Sequence, residues 1–356
     1  MEAKEKEILD IYSDYIISSF WQITATGLSS MLDWTIKHDK ITNFLSNRNF
    51  ESKDLWSLVK PEVRKIENEN WVLAFDDSIE EKQYTDENDI ICWHWDHTFW
   101  RNVKWINLMQ MLYVWEELSI PIWYEIVKKT TKFIDKKTGK EKRKSDKNKN
   151  EIFREMLDKA ISNILKFKYI TMDSWFCNKK NLQEIIKLWK HFITETPKNR
   201  LVSLSYKDKL EWKNQRVDSL GMNNWDILKI YIEWLEIEIL LIKQVFTNKD
   251  NSIWERYLLC SDTTLDFDSI TKIYKKRWKI EESFKSMKSN TWFGKSPTHT
   301  VRTIWNHLFS SIYSCFKLQL ISVSAWLNSF ALKQKLYIKA LQSAFTELSK
   351  FKLSLS

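Results

Sequence analysis

The sequence predicts an α/β fold, a mixed sheet flanked by helices, and three observations carry that prediction. Trp71–Phe75, Leu108–Trp115 and Ile120–Ile126 are short apolar runs bounded by polar residues, as expected of neighbouring strands. An amphipathic helical pattern over Glu151–Phe167 then precedes Tyr169–Met172, a brief buried strand, and a further helix over Asn181–Trp189, in the alternation of a βαβ unit. Both ends of the chain repeat apolar residues at helical spacing.

Taken in order, residues 1–65 read as helices, with Ile8, Tyr12, Ile16 and Phe20 at i+4 and a break over Thr24–Ser30 before Met31–Ile36. Such a region suits either a DNA-end recognition module or a helical cap on the core. The first strand ends in Asp76-Asp77-Ser78. Alternation along a strand allows only one of the two aspartates to face a given side. Asp89–Asn107 holds His94, Asp96 and His97, but the two histidines would align only on a helix and the flanks read as loop. Polar packing near the mouth of a site is the better reading there than a zinc centre.

Lys128–Asn150 carries eleven Lys and Arg against three acids. It reads as a solvated loop that also suits a path along phosphates. Tyr169–Met172 ends in Asp173, at the carboxyl end of a strand, where sites in open α/β sheets gather. Alone, Asp173 reads equally as the cap of the next segment. From about 192 to 266 the chain turns strand-rich, with Leu201–Ser205, Ile227–Ile242 and Trp254–Cys260 as the apolar runs. Beyond Ser269 it is helical again.

Ile273–Ser289, IYKKRWKIEESFKSMKS, contains neither Gly nor Pro and reads as one helix of at least four turns. Tyr274, Arg277, Glu281 and Lys288 follow one another in steps that return each to within roughly a 60° arc of one face, with Lys285 just beside it. A solvated basic face with one i,i+4 ion pair would look the same. A carboxylate held among cations, suited to a metal beside a phosphodiester, is the sharper reading.

The spacing Tyr-x2-Arg-x3-Glu-x6-Lys resembles the Tyr-Arg-Glu-Lys signature of one large branch of bacterial insertion-sequence DDE transposases. The strand ends Asp76-Asp77-Ser78 and Asp173-Ser174-Trp175-Phe176 resemble the two catalytic-aspartate motifs of that branch, in the right order. The likeness spans about residues 70–310. It implies a ribonuclease-H-like mixed sheet, with a β-rich insertion before the last catalytic helix and helical terminal regions. The boundaries it implies are 1–65, 66–190, 191–266, 267–300 and 301–356.

By that resemblance Asp76, Asp173 and Glu281 are the catalytic carboxylates and the ligands of two Mg²⁺ or Mn²⁺, with Asp77 the alternative first ligand. Two ions roughly 4 Å apart would activate the attacking oxygen and stabilise the leaving one. Hard oxygen donors select such ions. Tyr274, Arg277, Lys285 and Lys288 are the implied DNA and phosphate contacts. The implied activity is cleavage and strand transfer at the ends of the chain's own element. The implied partners are terminal inverted repeats, target DNA and, on paired ends, a second copy of the chain. A nuclease of the same fold that only hydrolyses, and an inactive DNA-binding descendant, are the rival readings.

The remaining composition agrees with these expectations. A net charge of +9 suggests a polyanionic partner, although 47 acids accompany the 56 bases. The four cysteines, Cys92, Cys177, Cys260 and Cys315, form no close pair, and no signal peptide is evident, which points to a reducing bacterial cytoplasm. No uncharged apolar run approaches the roughly 18 residues of a membrane span. Leu308–Leu332, interrupted by Lys317 and Gln319, reads as a buried helical hairpin.

One imbalance stands apart: 4 Gly against 20 Trp, where average usage gives Gly about 7%. Trp292, at an expected helix C-cap, and Trp115, beside an expected turn, stand where glycine is preferred. Trp34, Trp71, Trp100, Trp105 and Trp123 fall where similar transposases commonly have glycine. Trp175 and Trp278 match Trp in the family motifs. The imbalance fits a gene whose UGA codons mean glycine but are rendered as tryptophan.

Overall fold

A computed structural model of the chain describes residues 1–82, 85–96, 100–136, 138–291, 293–294 and 298–353, with 94–96 as backbone only. The chain opens with α1 (Ala3–Ser18), α2 (Ala25–Met31), α3 (His38–Asn47) and α4 (Ser52–Ile66). Strands β1 (Val72–Glu81), β2 (Cys92–Asp96), β3 (Arg101–Trp115) and β4 (Leu118–Ile126) follow, then the small pair β5 (Thr131–Ile134) and β6 (Glu141–Lys144). Next come α5 (Lys149–Ser162), β7 (Tyr169–Met172), α6 (Lys179–Lys187), β8 (His191–Glu195), β9 (Leu201–Val202), α7 (Tyr206–Leu210) and β10 (Gln215–Arg216). After β11 (Ile227–Ile230), β12 (Ile239–Thr247) and β13 (Ile253–Cys260) the chain closes with α8 (Phe267–Lys275), α9 (Trp278–Ser289), α10 (Val301–Ser324) and α11 (Ser329–Leu353).

The sheet organises everything else. β3 pairs antiparallel with β1 on one edge and with β2 and β4 on the other, while β7 runs parallel to β1 and β8 parallel to β7. The spatial order β4-β3-β1-β7-β8, antiparallel on one side of β1 and parallel on the other, is that of a ribonuclease-H-like sheet. The expected strand runs sit in it, except Leu201–Ser205, whose β9 pairs with β10 in a small sheet of its own. β7 is wholly buried, as its YITM sequence requires of a strand covered on both faces.

Several details differ from the expectations. Thr24–Ser30 is not a break: Thr24 caps α2 by accepting the Gly27 amide at 2.9 Å, and the break follows at 32–37. The histidine-bearing stretch is a hairpin, β2–β3, rather than loop, which places His94 on a strand; His97 lies outside the described residues. Lys128–Asn150 is not a structureless loop, because β5 and β6 pair around Gly139 at φ 65°. Ile227–Ile242 is two paired strands, β11 and the start of β12.

The strand-rich segment does not stand apart from the core. β8, just past the boundary expected at 190–191, is the fifth core strand. β13 pairs antiparallel with β8, and β12 and β11 follow, so the central sheet simply widens. Chain-distant edge pairing of this kind leaves no local sequence mark.

The N-terminal helices share one apolar core with the sheet through α10. Phe309 of α10 is fully buried and stacks on Phe50 at 4.9 Å, and Tyr12 of α1 hydrogen-bonds His307 at 3.0 Å. Asn306 accepts the Phe50 amide at 2.9 Å. α10 and α11 meet at 91° rather than folding back as a hairpin, and neither is long and apolar enough to cross a membrane.

Candidate active site

β1 and β7 are paired through Ala74 and Thr171, and the same register carried two residues on sets Asp76 beside Asp173. β7 and β8 are paired through Met172 and Thr194, so the next residues, Asp173 and Glu195, are also neighbours. Three carboxylates therefore line adjacent parallel strand ends on one face. Glu195 was not among the expected residues. Its signal was present, an apolar strand ending in an acid (HFITE), but it lay in the stretch assigned to the insertion.

The fourth carboxylate arrives on α9. Arg277 donates to Asp76 Oδ2 at 2.9 Å and to Glu281 Oε1 at 2.6 Å, so one guanidinium ties the strand acid to the helix acid. Gln110, the cross-strand partner of Asp76, is fully buried beneath them. It receives Ser283 Oγ at 3.4 Å and donates to Met287 Sδ at 3.7 Å, which seats α9 against β3.

Asp77 points to the other side of β1, as alternation requires. Its Oδ2 accepts from Asn107 at 3.0 Å and from Lys149 at 2.7 Å. Asp76, not Asp77, is thus the aspartate joined to Arg277 and Glu281. Lys149 belongs to the basic stretch expected to follow phosphates and is instead engaged by Asp77.

Electrostatics mark the same cluster. Burial, followed by the charge of Asp173, pushes the Asp76 carboxyl up to about 7, against the pull of Arg277. Asp173 and Glu195 are also raised, chiefly by burial. Asp173 does cap its own turn, with Oδ1 accepting the Trp175 and Phe176 amides at 3.0 and 3.3 Å. The capping reading of Asp173 is thus observed, and the cap engages only Oδ1.

The signature stretch is two helices, not one. α8 ends at Lys275 and α9 begins at Trp278, joined through i→i−3 bonds from Lys276 to Ile273 and from Arg277 to Tyr274. The winding is tighter there, with Lys276 and Arg277 still in helical backbone conformation. Tyr274 is buried where α8 packs on the sheet, and the Arg256 and Arg277 guanidinium groups lie 5.1 and 5.7 Å from its ring centroid. It supports those arginines from behind. Lys288 is exposed and donates to the Ile79 carbonyl at 2.6 Å, while Lys285 lies over the Phe330 ring at 5.3 Å.

A divalent ion would fit the donor chemistry of the strand ends. Two half-buried carboxylates, both raised by loss of solvent and Asp76 also by the charge of Asp173, are hard oxygen donors suited to a cation. Among the described residues no three acidic, His or Cys side chains are yet grouped to hold one ion; Glu281 is drawn to Arg277.

Two sequence families match this chain. One, described as "DDE superfamily endonuclease", matches residues 2–216 and so spans Asp76 and Asp173. The other, described as "Transposase DDE domain", matches residues 133–314 and spans Asp173 and Glu281. The chain belongs to the DDE superfamily of transposases and endonucleases. Members of that superfamily generally use divalent metal ions. No curated protein sequence matches the chain. Among solved structures, a Drosophila P element transposase strand transfer complex is similar at 10% identity and a TM-score of 0.27, covering 52% of this chain and 36% of that one.

Proposed function

We propose that this DDE-superfamily protein is a transposase of the Tyr-Arg-Glu-Lys branch, which binds the ends of a bacterial insertion element and cuts and rejoins DNA there. The observation that carries the reading is the meeting of Asp76 and Asp173 in register on adjacent strand ends with Glu281, through Arg277, on α9. Asp76, Asp173 and Glu281 would hold Mg²⁺ or Mn²⁺, and such ions supply an activated attacking oxygen and charge stabilisation at the leaving one. Arg277 already touches two of these acids, so it is placed to exchange a carboxylate for a phosphate as a bidentate donor. Lys288 stands exposed on the same side of α9, where a DNA backbone would pass.

The proposed partners are the element's terminal repeats, target DNA and a second copy of the chain on paired ends. The test is joining of a labelled 3′-end, taken from the DNA flanking the gene, to a plasmid in the presence of Mg²⁺. Joined product is expected. Cleavage without joining would make the protein a hydrolytic nuclease, and binding without either would make it an inactive descendant.

A further inference from the structure

Ten non-glycine residues among those described adopt φ between 44° and 77°, and six of them are Trp34, Trp100, Trp189, Trp212, Trp225 and Trp326. A residue type that makes up about one residue in eighteen would supply fewer than one of the ten. Tryptophan has no affinity for this region; a Cβ there crowds the following carbonyl, and glycine is its usual occupant. The other four are Asp33, Glu116, Ile164 and Asn251, of which Asp and Asn are known to tolerate it.

Three of the six occupy the same structural position. After α6, α7 and α10 the chain closes the helix with paired bonds: Lys190 N to Ile185 O and Trp189 N to Ile186 O, then Lys213 N to Asp208 O and Trp212 N to Lys209 O, and finally Leu327 N to Ser322 O and Trp326 N to Val323 O. This is the Schellman closure, whose left-handed residue is most often glycine. Ile164 closes α5 and Asp33 closes α2 in the same way, so another side chain is accepted twice; the recurrence of tryptophan is what needs a cause.

Their environment gives a second, independent sign. The six are between 54% and 94% exposed, although tryptophan is highly buried on average. Removing these indoles would open no cavity in the core. Two of the four written glycines, Gly139 and Gly221, stand in the same left-handed region at φ 65° and 62°. The fold therefore demands more glycines than are written, and tryptophan stands at many of the vacant places.

We propose that Trp34, Trp100, Trp189, Trp212, Trp225 and Trp326 are glycines in the protein as its host makes it, each encoded by UGA and read by a glycine-charged tRNA. The structure redraws the set expected from sequence. Trp34 and Trp100 stay in it, and Trp189, Trp212, Trp225 and Trp326 join. Trp71, Trp105, Trp115 and Trp123 have no left-handed backbone, and Trp71 stacks on Tyr113 and Trp115 at 4.5 and 5.4 Å. Trp292 lies outside the described residues. A consequence, which rests on the proposed function, is that the element moves only among hosts that share this code; where UGA means stop its transposase would be truncated, and where it means tryptophan the six left-handed sites would be strained.

The codons test the proposal without reference to DNA chemistry. UGA is expected at all six positions and UGG at Trp175 and Trp278, with peptides from the native host carrying glycine at the six by mass spectrometry. UGG at two or more of the six, or tryptophan in the native peptides, would overturn it. A recombinant chain carrying all six Trp→Gly replacements should melt on the order of 10 °C higher than the chain as written; an equal or lower Tm would contradict the structural argument.

Discussion

Asp76 is the acid that the fold holds most strongly against its own charge. Its ordinary carboxyl titrates near 3.8, and in the fold it is pushed up to about 7 by burial and by Asp173. A raised acid favours the protonated form, so the folded state binds the proton more tightly than the unfolded state between those values. Its contribution to stability is full below about pH 4 and is lost as pH rises through about 7. Asp76→Asn removes the buried charge. In metal-free buffer the variant should be more stable than the parent at pH 8, by on the order of 2 kcal/mol, and equal to it near pH 4. Denaturant unfolding at the two pH values checks this. A variant less stable at pH 8 would show that the Arg277 bridge outweighs the burial of charge.

The joint between α8 and α9 is the element on which the site turns. Arg277 lies at the i→i−3 turn that joins them and acts as the internal cation of the acid cluster. Taking away one partner of a half-buried ion network leaves the others uncompensated, at a cost of about 3–5 kcal/mol. Arg277→Ala should therefore lower Tm in chelator. Mg²⁺ should then raise Tm more in the variant than in the parent, because an ion binding only the folded state stabilises it and would here replace the lost charge. No Mg²⁺ response in the variant would mean that the carboxylates hold no cation together. The joint was invisible in the sequence, since neither Gly nor Pro marks it. Tyr274, expected to share an open face with Arg277, is buried instead where α8 packs on the sheet.

Across the whole molecule, what was legible followed from local pattern. Strand ends delivering Asp76 and Asp173 could be read because an apolar run terminated by an acid is a short-range signal. So could the pairing of Arg277 with Glu281, fixed by helical spacing. What escaped depended on contacts far apart in the chain: the widening of the sheet by β11–β13, the register that sets Glu195 beside Asp173, and the shared core of α1 and α10. The left-handed sites at Trp189, Trp212 and Trp326 escaped for a finer reason. A C-cap can be named only when the helix end is known to the residue.

The account stands most directly on metal-dependent cleavage of a duplex that carries the DNA flanking the gene, compared between the parent chain and its Asp76→Asn, Asp77→Asn and Asp173→Asn variants. Loss of one ligand from the charge-stabilising set should cost at least about a hundredfold in rate. The result predicted is strong Mg²⁺-dependent cleavage by the parent, loss in Asp76→Asn and Asp173→Asn with DNA binding retained, and substantial activity left in Asp77→Asn. Parental cleavage by either the Asp76 or the Asp173 variant would contradict it.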